Sequence, residues 1–307
     1  SGKAAANLLH LGPGLGNAFA NIHNAKKANS PMINIVGDHA SYHLKHNAPL
    51  TSDLDGLANS SSDWVGRLDN PQNISRLANT AWQQANYPSG NIATMIIPAD
   101  YAWTSVDINI EPKIDLKKPK SVNNKDINKA YSLLKRNNSM LFIGGRFLDE
   151  ECLKLASHIA SATNCRLATD TFVPKIRRGA GLPIIKQVPY FAEMAEMFLA
   201  DAQSIVFIGS RPPVSFFAYP DKKSFLSPKN AELFELCSND DDGISVLNEL
   251  KDLSGSAKID KEFIQSYIGD VPTSGDLDAT TLGPLIAGLM PEDSIVSDEA
   301  ATSSLLV

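Results

Sequence analysis

Apolar residues along the chain fall into short runs separated by glycine, proline and asparagine, alternating with segments of helical spacing. Residues 5–11 read as a buried strand, and Gly12-Pro13-Gly14-Leu15-Gly16-Asn17 as a glycine turn after it. Residues 18–28 have helical spacing through Phe19, Ile22 and Ala25. Residues 31–36 form a second short strand, ended by Gly37. A helix is predicted over 71–87, with Ile74, Leu77, Ala78 and Ala81 on one stripe, and a third strand over 91–97, closed by Pro98-Ala99-Asp100. Strand, turn, helix and strand in this order predict an α/β fold, parallel sheets flanked by helices.

Residues 107–124 carry Pro112, Pro119 and several lysines without periodicity and read as a linker. A second α/β segment follows. Helices are predicted over 126–135, 149–163, 190–199 and 244–253, and strands over 140–143, 166–169, 204–208 and 231–237. Gly144-Gly145 is read as opening the helix over 149–163, and Gly209 as ending a strand. Residues 254–275 form a connector. Then come a helix over 278–289, a strand over 294–297, and a polar turn, Asp298 to Ser303, opening a further helix.

Composition narrows the function classes. The chain has 307 residues, 43% hydrophobic and 20% charged, in the range of ordinary globular proteins. No apolar run approaches the ~18 residues of a membrane span, and a net charge of −6 argues against nucleic acid or an anionic membrane as main partner. Cys152, Cys165 and Cys237 lack metal-ligand spacing and suit a reducing cytoplasm. The chain opens at Ser1 and stops at Val307 within apolar stretches, so it is expected to be a piece of a longer polypeptide.

Several motifs are candidates for chemistry. The Gly12–Asn17 turn lies where backbone N–H groups and a helix dipole attract a ligand, but its glycine spacing is not the dinucleotide fingerprint. Alternatively it is only a tight strand-to-helix turn. Five of six histidines, His10, His23, His39, His43 and His46, fall in the first 46 residues. Asp38 and His39 follow a buried strand, the usual site position in open α/β sheets, and His39 is the foremost acid/base candidate. His39 and His43 would make a metal pair only on a helix, which Gly37 and Asn47-Ala48-Pro49 oppose, so no metal ligand is assigned. Gly144-Gly145-Arg146 and Gly209-Ser210-Arg211 could cradle a nucleotide or be plain punctuation. Asp240-Asp241-Asp242 reads as a solvated turn. Thr302 and Ser303 could serve a phosphate at a helix N-terminus or form an ordinary cap.

Leu8 to Asn17, Asn21 to Ala25, Pro31 to His39 and Ala48 to Asp53 together resemble the pyrimidine-binding domain of thiamine-diphosphate enzymes. The resemblance is to the acetolactate synthase large subunit-like, benzoylformate decarboxylase-like branch, and it extends over essentially the whole chain. It implies an incomplete pyrimidine-binding domain over residues 1–112, a linker over 113–124 and a Rossmann-like central domain over 125–255. A connector over 256–275 and the start of a diphosphate-binding domain over 276–307 complete the expectation. Gly12, Pro13, Gly14 and Asn17 would lie near the cofactor's aminopyrimidine, and Asp38 and His39 beside the thiazolium and substrate. Thr302 and Ser303 would lie near the diphosphate, in the half of the site given by a partner subunit. The implied activity is decarboxylation or carboligation of a 2-keto acid, with thiamine diphosphate and magnesium in a homodimer or homotetramer.

Gly144, Gly145 and Gly209 match the region that holds FAD in some relatives, a lesser expectation here. Two family features are missing. The activating glutamate precedes the Gly-Pro-Gly turn by more than the eleven residues present, and no Gly-Asp-Gly magnesium motif occurs. This chain alone is therefore expected to be inactive, with magnesium ligands outside it. The competing expectation is a non-catalytic nucleotide- or FAD-binding assembly protein of the same fold. A nicotinamide dehydrogenase is disfavoured by the glycine spacing.

Overall fold

The computed structural model describes residues 3–107, 110–255, 258–266, 271 and 273–298. In the first segment β1 (Ala5–His10) leads directly into α1 (Leu11–Lys27), followed by β2 (Met32–Asp38), α2 (Leu54–Ser61), β3 (Trp64–Arg67), α3 (Ile74–Ala85), β4 (Ile92–Pro98) and α4 (Ala99–Trp103). The strands are parallel in the order β1-β2-β4-β3. Leu15 and Ile22 of α1 and Leu54 and Ala58 of α2 cover one face, against Val36, Ile92 and Ile96. Ala81 and Ala85 of α3 cover the other, against Ala93 and Met95. Its inner strands are thus covered on both faces, the condition under which a parallel sheet is stable, while the edge strand β1 leaves Leu8 81% exposed.

Two sequence expectations change here. Gly12 to Asn17 is not a turn preceding a helix that starts at residue 18; it is the first two turns of α1. A single residue, Leu11, at φ 57°, takes the whole change of direction between strand and helix. Pro13 is tolerated because first-turn N–H groups have no intrahelical acceptor. The second change is the addition of α2 and β3, which local patterning does not announce.

The central segment comprises α5 (Asn124–Leu134), β5 (Ser139–Ile143), α6 (Glu150–Thr163), β6 (Arg166–Thr169), β7 (Lys186–Gln187), α7 (Ala192–Leu199), β8 (Ser204–Ile208), β9 (Glu232–Cys237) and α8 (Gly243–Ser254). Its parallel sheet has the order β7-β6-β5-β8-β9, so the winding reverses between β5 and β8. Every residue of β5 and β8 is buried. Helices α5, α6 and α8 cover Leu141, Ile143, Val206 and Ile208, while α7 covers Met140, Phe142, Ile205 and Phe207. Gly144-Gly145 does not open α6 directly: Gly145–Phe147 is a separate 3-10 turn, and α6 is capped by Asp149, whose carboxylate accepts the Cys152 N–H at 2.9 Å.

Beyond the central sheet lies α9 (Ala279–Leu289), entered through a capping box of Asp278 and Thr281. Residues 294–297 are not the expected strand. Ile295 is 95% exposed, and no neighbouring strand pairs with this run among the described residues; apolar character without a hydrogen-bonding neighbour does not make a strand. Thr302 and Ser303 lie outside the described residues.

Candidate functional site

The C-terminal edge of the first sheet brings together the ends of three strands and the start of a helix. His10 is in register with Gly37, and Asp38 with Pro98. Helix α1 begins at this same edge without a side-chain cap. Of the four residues expected to face a cofactor here, Pro13 and Asn17 are exposed and Gly14 is half-buried, on a shared helix face at i, i+1 and i+4. Gly12 turns inward instead. A Cβ there would sit 1.8 Å from Ser52 Oγ, so its missing side chain makes room for the 48–53 loop rather than for a ligand.

His39 follows the last residue of β2. Its backbone N–H donates to Asp38 Oδ1 at 2.7 Å, and its ring lies 5.6 Å from that of His43, which lies 5.7 Å from that of His46. These rings are carried by tight turns, with His43 N–H to Ala40 O, His46 N–H to His43 O and a left-handed Asn47, not by an α-helix. Among the described residues no group of three or more His, Cys, Asp or Glu could hold a metal ion. His39 Nε2 is buried and, among the described residues, without a hydrogen-bond partner, as is Thr51 Oγ1 in the neighbouring loop. Buried polar atoms are normally satisfied, so orphans at a sheet edge are what a site presents to an incoming polar ligand.

Asp38 is not the free carboxylate that an acid/base role requires. It is 7% exposed, and its Oδ2 accepts from Arg67 Nη1 at 2.6 Å. Arg67 also donates through Nη2 to Asp55 at 2.7 Å. Burial works to lower the Arg67 pKa, but hydrogen bonds to Asp55 and Asp38 outweigh it and the net shift is upward. Further along the loop, Ser41 donates through N–H and Oγ to Asp100, holding that carboxyl below its ordinary range. Arg67 escapes sequence reasoning because its strand does; the available signal is an arginine ending the short apolar run Trp64-Val65-Gly66.

A second concavity, about 1060 Å³, lies between the central sheet's C-terminal edge and the opposite, N-terminal edge of the first sheet. His23, Lys26 and Lys27, at the far end of α1, line it, and that helix is about 25 Å long. It is therefore remote from His39. Phe172 meets Tyr190 and Phe216 edge-to-face, and the three rings form a wall on the central side. At the strand tips, however, the glycine turns are already occupied. Asn239 accepts from the Arg146 N–H and donates to Gly209 O, both at 3.2 Å, and a Cβ on Gly145 would meet Asn239 Oδ1 at 2.0 Å. Asp170 is held by Ser210 Oγ at 2.7 and 2.8 Å, and burial raises its carboxyl pKa. Glu150 and Glu151 occupy the first turn of α6, where a diphosphate would need positive potential. Asn239 and the two glutamates therefore stand against a diphosphate at these turns, although Gly145, Gly209, Ser210 and Arg211 line the concavity.

Residues 1–58 match the family described as thiamine pyrophosphate enzyme, N-terminal TPP binding domain. The chain is 36% identical over 308 residues to a Mycobacterium tuberculosis protein provisionally named acetolactate synthase large subunit IlvX, covering 100% of this chain and 58% of that protein. Among solved structures it is similar to the thiamine diphosphate-dependent 4-hydroxybenzoylformate decarboxylase of Rhodococcus jostii RHA1, at TM-score 0.72 and 17% identity. That match covers 96% of this chain and 59% of the other. It is similar also to benzoylformate decarboxylase from Polynucleobacter necessarius, at TM-score 0.70 and 16% identity, over 91% of this chain and 55% of the other. These structural likenesses bear on the fold.

Proposed function

From homology to the thiamine pyrophosphate enzymes of the acetolactate synthase large subunit-like kind, we propose that this chain supplies the pyrimidine side and central domain of an enzyme acting on 2-keto acids. Thiamine diphosphate, when bound, supplies the electron sink that makes loss of carbon dioxide from such an acid accessible. The observation that carries the reading is the orphaned His39 Nε2, buried at a sheet edge within the matched segment. Pro13, Gly14 and Asn17 would hold the cofactor's ring from the exposed face of α1. His39 would hold or deliver a proton at Nε2, and the buried Asp38–Arg67 pair would support it from behind. Thr302 and Ser303 are proposed to serve the diphosphate in the partner's half-site, with magnesium ligands outside these residues.

A homo-oligomer with the site between subunits, in the cytoplasm, completes the proposal. No helix among the described residues is long and apolar enough to cross a membrane, and the three cysteines are free and buried. The competing flavin-binding reading is placed second because Asn239 lies against the Gly145 turn.

The test is His39→Ala in the complete gene product carrying this chain, assayed with thiamine diphosphate, magnesium and a panel of 2-keto acids. Turnover is expected to fall ~100-fold or more, as for loss of a general acid/base group, with cofactor affinity nearly unchanged. Full retained turnover would remove His39 from the mechanism.

A further inference from the structure

Asp38 ends β2 with a side chain only 5% exposed, an unfavourable place for a charge unless each oxygen is matched to a donor. Both oxygens are matched, and by very different donors. One accepts the His39 backbone N–H at 2.7 Å, the other Arg67 Nη1 at 2.6 Å. Because the carboxylate is planar, aiming one oxygen aims the other. The guanidinium is thus connected, through one planar carboxylate, to the peptide N–H of His39.

The guanidinium is itself aimed. Its Nη2 and Nε lie 2.7 and 3.4 Å from the two oxygens of Asp55, in the first turn of α2. This fork ties three elements together: β3 supplies Arg67, β2 supplies Asp38, and α2 supplies Asp55. An ammonium on a lysine stem could hold one carboxylate but could not present a planar fork to two. Charge-assisted bonds of this length are the stronger kind, and His39 needs such a support because its own ring finds no hydrogen bond through Nε2 among the described residues.

We propose that Arg67 is a positioning residue: held in line by Asp55, it fixes His39 through Asp38 and so presets the imidazole for its partner. The proposal rests on His39 being an active-site residue, and its test separates the two. Hydrogen exchange at the His39 amide reads the clamp directly. Turnover and KM of the complete gene product read its consequence.

In Arg67→Met the His39 amide is expected to exchange about 10-fold faster or more. Amides of Val36 and Ile96, inside the same sheet, should stay protected. Turnover should fall ~10- to 100-fold with KM changed far less, the signature of a misplaced group. Arg67→Lys should recover only part of both effects. If Arg67→Met does not fold, Asp55→Asn, which leaves the Arg67–Asp38 bond in place, takes over with the same pattern at smaller size. Unchanged exchange at His39 in a folded variant overturns the clamp, whatever turnover does. Equal acceleration at His39, Val36 and Ile96 overturns it too, making Arg67 a general stability element. Faster exchange at His39 alone with full turnover leaves the clamp standing and removes His39 from the chemistry.

Discussion

The two sheets of this molecule are built from the same kind of parallel strand, yet their interiors differ. The central sheet is apolar across its middle. Phe142 and Phe207 pack with ring centroids 5.2 Å apart among Met, Leu, Ile and Val, and the buried Ser139 and Ser204 that start the two strands donate to the Leu134 and Leu133 carbonyls of α5 rather than across the sheet. The first sheet carries a polar ladder through its middle. Asn7 Nδ2 reaches Asn34 Oδ1 at 3.2 Å, Asn34 Nδ2 reaches Thr94 Oγ1 at 3.1 Å, and Ser62 Oγ lies 2.6 Å from Thr94 Oγ1. Asn34 and Thr94 are fully buried, in register across β1, β2 and β4.

The edges are closer to each other in kind. At the central edge Asn239 and the Asp170–Ser210 pair tie the strand tips together beside the concavity, and Thr169 Oγ1 and Asp240 Oδ1 are buried there without a partner among the described residues. The first edge ends in His39 Nε2, likewise buried without a partner among the described residues. The apolar sheet secures stability, while the polar ladder secures a register and fixes the edge that carries His39. A one-residue slip there would break the ladder and swing His39 to the other side.

This contrast can be broken from both sides. The largest effect is expected at the apolar core: Phe142→Ala should cost about 3–5 kcal/mol, measured by denaturant unfolding. A loss under about 1 kcal/mol would mean that the central sheet repacks freely. Next comes the ladder. Thr94→Val keeps the shape but strips the acceptor from Asn34 and the partner from Ser62, at roughly 1–3 kcal/mol; a neutral outcome would show that the ladder is incidental to the register. The smallest effect sharpens the description of the central edge. Burial raises the Asp170 carboxyl pKa in the folded state, so the folded form holds its proton more tightly than the unfolded one. Stability therefore falls as pH rises through the window between the ordinary carboxylate pKa, about 3.9, and the raised value. Asp170→Asn should melt above the parent at pH 7, and the gap should close below about pH 4. An equal gap at pH 3 and pH 7 would assign the gain to something other than charge burial.

Much of the fold was legible because its signals are local. The strands over 166–169 and 204–208 stand where the sequence placed them, since a short, mostly apolar run flanked by turn residues has few other uses. His39 was legible for the same reason, sitting one residue past a strand end. Asp38 was seen, but not its partner, because Arg67 arrives from a strand of four residues on the far side of β4. Trp64–Arg67 is too short to show a period, and its Gly66 is there to admit Trp64 and Leu77.

What the sequence alone determined is therefore the α/β class, the order of most elements, and the family likeness of the first segment, all written in contiguous residues. Tertiary structure decided what depends on groups far apart along the chain. It wound Gly12 to Asn17 into helix against the 48–53 loop, laid Asn239 over Gly145 ninety-odd residues away, and left residues 294–297 without a pairing strand among the described residues. It also made Asp38, a candidate site residue beside His39, the buried link between Arg67 and His39. Each of these outcomes required a hydrogen bond or a steric contact whose second partner no local window contains.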